Sequence, residues 1–348
     1  MYWQIFGQDW AVEMLRAHAG GDKLRHAYLF TGPEGVGRQT LAVRFAQALT
    51  CMEPPERGDF CGVCRACRQL TSLTYPDLSL LVPDEGHKDI RIDQVRALQH
   101  TLALSPYVGT YRIALLPDFQ RATTQAANAL LKTLEEPPDR VILMLTATTP
   151  EGLMPTIVSR CEVIRLRPAS INDTQKWLRS QHGLDDEKAL LLAHLSGGRV
   201  GAAVRMVEDP STLASRREHL ATLLELLPAR RYQRFKVAAD LSRSRNQTRQ
   251  RVGEVLSVWL SFWRDVFLRA SGEALPLVNV DLITQIDQVA SKVPVERARA
   301  LLIAHEKAFQ HLNANANIQL LLETLMLQWP VVTLSPAVGE GFLQGEIK

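Results

Sequence analysis

Four cysteines carry the densest chemistry in the sequence. Cys51, Cys61, Cys64 and Cys67 are separated by nine, two and two residues. A two-residue gap lets neighbouring cysteines point at one ion, and four thiolates close a tetrahedral site with no open position, the mark of a structural metal. A disulfide framework is a competing reading, but such frameworks belong to oxidising compartments. An iron–sulfur cluster is another, because Cys-x2-Cys-x2-Cys opens the bacterial ferredoxin run. That run would place a fourth cysteine at position 71, where this chain has Thr71. The fifth cysteine, Cys161, falls outside the set.

The second constellation handles phosphate. Gly32-Pro33-Glu34-Gly35-Val36-Gly37-Arg38-Gln39-Thr40 follows a strand-like run and opens a helix-like one, the setting of a phosphate-binding loop. A working loop has Lys at 38, to reach the β- and γ-phosphates, and Ser or Thr at 39, to hold magnesium. Arg38 keeps the charge in a larger, planar head. Gln39 lacks the hydroxyl, and Thr40 supplies one only if the loop shifts by a residue. The acidic half of the site is altered too. After the run Tyr111–Leu116, where a hydrolysing enzyme carries Asp-Glu, this chain has Pro117-Asp118. Asp118 lies one position too late for the metal, and proline offers no ligand. Two separate losses predict a loop that keeps its shape without useful ATP hydrolysis; ATP binding is doubtful, with binding that stops short of hydrolysis left open.

These residues need a scaffold, and the flanking patterns supply one. Of the 348 residues, 46% are hydrophobic and 22% charged, enough for two or three domains with real cores. Lys and Arg number 40 against 37 for Asp and Glu. That balance weighs against a generic polyanion binder; Arg91, Arg96 and Arg112 are candidate local phosphate contacts, with solvated surface charge the favoured reading of all three. The start, Met1-Tyr2-Trp3-Gln4-Ile5-Phe6, lacks a secretory pattern, and no run has the eighteen apolar residues of a membrane span. The expectation is a cytoplasmic protein. Up to Arg167, short apolar runs alternate with helical segments, as in an α/β sheet. His26–Phe30, Tyr111–Leu116, Val141–Leu145 and Val163–Leu166 read as strands, and Gln39–Leu49 as the helix after the loop. Beyond Pro168 helices take over. Lys188–Leu195 stops at Gly197-Gly198, and Val252, Val255, Leu256, Trp259, Leu260 and Trp263 recur at helical spacing, as do Ile318, Leu321, Leu322 and Leu325. The expected division is 1–167, 168–209 and 210–348.

Several segments together resemble the bacterial AAA+ clamp-loader family of the DNA polymerase III holoenzyme. They are Gly7-Gln8, the stretch His26 to Thr40, the run Ala126-Ala127-Asn128-Ala129-Leu130-Leu131-Lys132-Thr133-Leu134-Glu135-Glu136-Pro137-Pro138, and Leu153-Met154-Pro155-Thr156-Ile157-Val158-Ser159-Arg160-Cys161. The resemblance implies an AAA+ P-loop-type parallel sheet with an inserted zinc module at about 51–67, a small helical lid and a C-terminal all-α collar. It implies zinc on Cys51, Cys61, Cys64 and Cys67. It also implies a pentamer with delta and the gamma/tau motor subunits, which opens the sliding clamp and places it on primed DNA.

Within that family, motor subunits keep intact loops and one paralogue is often degenerate. The changes at Arg38, Gln39 and Pro117, and a chain ending near 348, favour the degenerate paralogue. The resemblance further implies that Arg160, in Ser159-Arg160-Cys161, crosses to a neighbour's γ-phosphate as an arginine finger. Thr148 and Arg199 match the family's two nucleotide-sensing positions, vestigial here along with Gly32, Gly35, Gly37, Arg38, Gln39, Thr40 and Asp118. Two other functions stay open at this level: an active gamma/tau-type motor ATPase, and a free-standing zinc-dependent nucleic-acid binder.

Overall fold

Alternation along short apolar runs decides the first half of the chain. In the computed structural model, which describes residues 3–243, 248–314 and 316–335, helix α1 (Asp9–Ala19) precedes strand β1 (Ala27–Thr31). Helices α2 (Arg38–Thr50) and α3 (Arg65–Thr71) lead to β2 (Leu78–Leu80), and α4 (Ile92–Leu102) leads to β3 (Arg112–Leu116). Helix α5 (Thr124–Glu135), β4 (Val141–Ala147), α6 (Pro155–Val158) and β5 (Glu162–Arg165) complete the sheet region. Met1 and Tyr2, and the end of the 210–348 segment beyond 335, lie outside the described residues.

The five strands are all parallel, in the order β2-β3-β4-β1-β5. Successive residues point to opposite faces, so each strand feeds two cores. Tyr28, Phe30, Ile113, Leu115, Ile142, Met144 and Ile164 pack on one side with residues of α1, α2 and α3. Ala27, Leu29, Ala114, Leu116, Leu143 and Leu145 pack on the other with residues of α4 and α5. Both faces are covered, which is why these strands read as apolar runs rather than as alternation. The chain leaves β1 for the far edge, β2, and returns to β1's flank at β4. In α/β folds ligands bind outside the carboxyl ends of strands beside such a reversal, here β1 and β4.

By internal contacts the chain divides into two units, 1–174 with 198–203, and 175–197 with 204–348. Helices α7 (Ile171–His182) and α9 (Val200–Glu208) have residues in both, and α8 (Asp186–Ser196) belongs to the second. The remaining helices of the second unit are α10 (Pro210–Leu226), α11 (Arg231–Ser242), α12 (Thr248–Ala270), α13 (Ile283–Ala290), α14 (Val295–Asn313) and α15 (Ile318–Leu327). Their core gathers Leu223, Val255, Trp259, Trp263, Leu301, Leu322 and Trp329. The Trp and Leu stripes of the sequence are thus core. Arg234, 3% exposed, gives every guanidinium N–H to a carbonyl: Leu226, Leu227, Met326, Trp329 and Pro330. One side chain thereby satisfies the carboxyl ends of both α10 and α15. No described helix is long and apolar enough to cross a membrane.

Candidate functional site

The four predicted cysteines converge. Cys51 caps the end of α2, Cys64 caps the start of α3, Cys67 lies within α3, and Cys61 sits in the loop between. All four sulfurs lie within 4.8 Å of one another, and those of Cys51 and Cys61 are 3.6 Å apart. Metal–sulfur bonds of about 2.3 Å in a tetrahedron set sulfurs about 3.8 Å apart. Backbone N–H groups of Cys61 and Cys64 donate to the sulfurs of Cys51 and Cys61 at 3.3 and 3.2 Å. Burial pushes the Cys51 and Cys67 thiols up. At Cys64 burial is outweighed by hydrogen bonds from the Cys67 and Met52 backbone, and the thiol comes down to about 7. Four thiols this close resist ionising together unless a cation compensates them, so the group could hold a metal ion. The site is tied to the core as well. Gln47 donates to the Cys67 carbonyl at 2.7 Å, and Phe60 meets Trp3 edge-on at 5.6 Å.

The phosphate loop folds in register, with no one-residue shift. Gly37, at φ 101°, caps α2, so Arg38 is the first helical residue. Gly32 adopts φ 146°, and a Cβ there would stand 2.6 Å from the Leu166 carbonyl oxygen; only glycine fits. Arg38 is 8% exposed and turns inward, its Nη2 3.0 Å from Asp118 Oδ1. Asp118 is held in the left-handed region, φ 47°, with its backbone N–H donating to Thr146 Oγ1. Gln39 and Thr40 are exposed on the first turn of α2. Thr148 is exposed too, and its carbonyl accepts the Gly32 N–H. Arg199 lies in the same unit as the loop, its Nη1 3.4 Å from the Glu34 carbonyl, while the Gly201 N–H donates to the Gly35 carbonyl at 2.9 Å. The loop and the Arg199 segment are therefore brought together.

Arg160 follows the four-residue helix α6, with Pro155 at its first position. Ile157 is fully buried, and Val158 and Cys161 pack against the same core, which fixes the backbone on both sides of the arginine. Burial pushes the Cys161 thiol up to about 12, so it serves as packing rather than as a nucleophile or ligand. The Arg160 side chain is 35% exposed. Its Nη1 donates to the Thr156 carbonyl at 2.9 Å, and its Nη2 pairs with Glu135 Oε1 at 2.7 Å.

One sequence expectation fails. Arg112 is not available for phosphate contact: it is 8% exposed, donates to the Ser105 carbonyl and lies 3.6 Å from the fully buried Asp77. Burial pushes the Asp77 carboxyl up, but N–H groups of Tyr107, Gly109 and Val108, and then Arg112, outweigh it and hold it low. Arg91 and Arg96 remain at the surface beside Asp84 and Asp93. Sequence reading also missed Thr146 and Glu135 as partners of Asp118 and Arg160. Glu135 carried a signal, as an acid in the last turn of a helix, where cations are favoured.

Comparison with known proteins places the chain in a family. A family described as DNA polymerase III, delta subunit, matches residues 7–170, and one described as its C-terminal part matches 211–330. The DNA polymerase III subunit delta-prime of Pseudomonas aeruginosa is 32% identical over 329 residues, covering 92% of this chain and 96% of that one. The chain belongs to the delta-prime family of DNA polymerase III. The Bacillus subtilis delta-prime subunit is 30% identical, covering 88% of this chain and 91% of that one. By contrast, the Bacillus subtilis tau subunit, 32% identical, covers 45% of this chain and only 27% of its own length.

Proposed function

We propose that this delta-prime family member works in the cytoplasm as a subunit of a bacterial clamp loader, with delta and gamma/tau motor subunits in a pentamer. It turns over no ATP itself and lends Arg160 to a neighbour's ATP site while the complex loads the sliding clamp onto primed DNA. In this reading residues 1–167 form the nucleotide-type fold, 168–209 the lid and 210–348 the collar that joins the subunits. The observation that carries the reading is a contrast within one unit. Arg38, at the position of the phosphate-binding lysine, spends its charge inside the fold on Asp118, whereas Arg160 stands at the surface. A guanidinium beside a transferring γ-phosphoryl group stabilises the charge spread over its oxygens. Such arginines contribute about 10³ to 10⁵ in rate in well-studied systems. Cys51, Cys61, Cys64 and Cys67 would hold zinc, whose contribution is to cross-link the 51–67 insertion to α2 and α3.

Reconstitution tests the reading. Mixing the purified chain with delta and gamma/tau subunits should give one complex of fixed stoichiometry, and omitting it should abolish clamp loading. A chain that stays separate from those subunits, or loading that proceeds without it, contradicts the reading.

A further inference from the structure

The geometry points to Glu135 as the residue that positions Arg160 for its action on a neighbour's nucleotide. This rests on the reading of Arg160 as an arginine supplied in trans. Glu135 is the last residue of α5; Glu136 follows it and Asp139 comes after Pro137-Pro138, with Lys132 the one base in the helix's last turn. The carboxyl end of a helix carries partial negative charge and disfavours carboxylates. A carboxylate there gains from a cation, and Arg160 brings one to Glu135 at 2.7 Å.

The bases of both side chains are fixed. Leu130 and Leu134 of α5 pack in the same core as Ile157, with Val158 and Cys161 against it, so the end of α5 and the Arg160 backbone are held relative to each other. The guanidinium is gripped at two points, by Glu135 through Nη2 and by the Thr156 carbonyl through Nη1. With side-chain exposures of 35% and 51%, the pair is screened by water and contributes little to the fold. Its consequence is orientation. An arginine already confined to one direction meets the developing γ-phosphoryl charge without a search through its rotamers. Glu135 is thus a positioning residue acting through Arg160.

The test uses the assembled loader with intact motor subunits. It reads DNA-stimulated ATP turnover and the KM for ATP with the unaltered chain, Arg160→Ala, Glu135→Ala and the double variant. Glu135→Gln guards against a folding or assembly defect. The turnover lost in Arg160→Ala defines the Arg160-dependent part. Glu135→Ala should remove most of that part, roughly a tenfold fall, with KM unchanged, and should add no loss in the Arg160→Ala background. Glu135→Gln, which keeps an acceptor without the charge, should fall between. Full turnover in Glu135→Ala beside a loss in Arg160→Ala overturns the positioning role and leaves the finger standing. A Glu135→Ala loss that repeats in full on top of Arg160→Ala also overturns it, because Glu135 then acts on the fold. Unchanged turnover in Arg160→Ala itself removes the finger reading and the positioning role together.

Discussion

Arg38 and Asp118, 80 positions apart in the chain, form an ion pair of 3.0 Å at the mouth of the phosphate loop. A lysine at position 38 would reach toward phosphate, and an acid after β3 would serve a metal ion. Here the two side chains pair with each other. The carboxylate is 43% exposed and the guanidinium only 8%, so Asp118 is the buried cation's route to compensation. The pair ties the start of α2 to the residue that follows Pro117 after β3.

The isolated chain should therefore release no phosphate from labelled ATP in a single-turnover assay, with or without magnesium. Hydrolysis that disappears on Arg38→Ala would show that the loop is a working site. Asp118→Ala, which strands the Arg38 charge, should lower stability by about 1–2 kcal/mol, discounted for the exposed carboxylate. Urea denaturation reads that loss.

Metal analysis of protein purified without chelator should give one zinc per chain. Cys61→Ser, or a strong chelator, should lower the thermal midpoint, because an unfolded chain lacks the preformed site and binding energy becomes folding energy. Tryptophan emission should change as the packing of Phe60 on Trp3 loosens. Iron with visible charge-transfer absorption, or no metal at all, would contradict the assignment.

The sequence discloses what is local in this molecule. Short apolar runs located β1, β3, β4 and β5 to within a residue or two at most ends, because both faces of a covered parallel sheet are apolar. The cysteine spacing announced its own convergence. Strand β2 escaped, since three residues at a sheet edge leave little apolar signal. The pairs Arg38–Asp118, Arg112–Asp77 and Arg160–Glu135 escaped for a different reason. Each joins residues from separate elements, and only the sheet order and helix packing decide which charges meet. Arg112 shows the cost, since an arginine beginning a strand reads as surface until its buried partner is known.

Arg234 offers a stability test far from the nucleotide fold. Arg234→Ala removes a donor from five carbonyls at and just beyond the ends of α10 and α15, of which Leu226, Leu227 and Met326 keep a backbone N–H. The expected loss is roughly 3 kcal/mol in urea denaturation. Arg234→Lys should recover less than half of it, because one ammonium cannot reproduce the planar fork. A full rescue by lysine would mean that charge alone matters there.

Stability should also fall on mild acidification. His305 is fully buried, and burial pulls its pKa down to about 4 against a small opposing effect from its bond to the Leu301 carbonyl. The unfolded chain takes up that proton near pH 6.5 while the folded chain does not, so stability drops as pH falls from 6.5 toward 4. This one group contributes at most about 3 kcal/mol. Burial moves His219 in the same direction. Denaturation midpoints measured across this window should show the slope, and His305→Leu should flatten it. An unchanged slope would place the acid sensitivity elsewhere.

If this chain supplies an arginine to its neighbour, Arg160→Ala should disable the reconstituted loader without disturbing the chain itself. Arg160 lies at the surface, so the variant should fold, keep its zinc and join the complex, with a stability change within about 0.5 kcal/mol. DNA-stimulated ATP turnover should nevertheless fall by the share of the one site this subunit faces, and clamp loading should fall further. Arg199→Ala, beside this chain's own phosphate-type loop, should do much less. Normal turnover and normal loading with Arg160→Ala would contradict the account and leave the chain a scaffold alone.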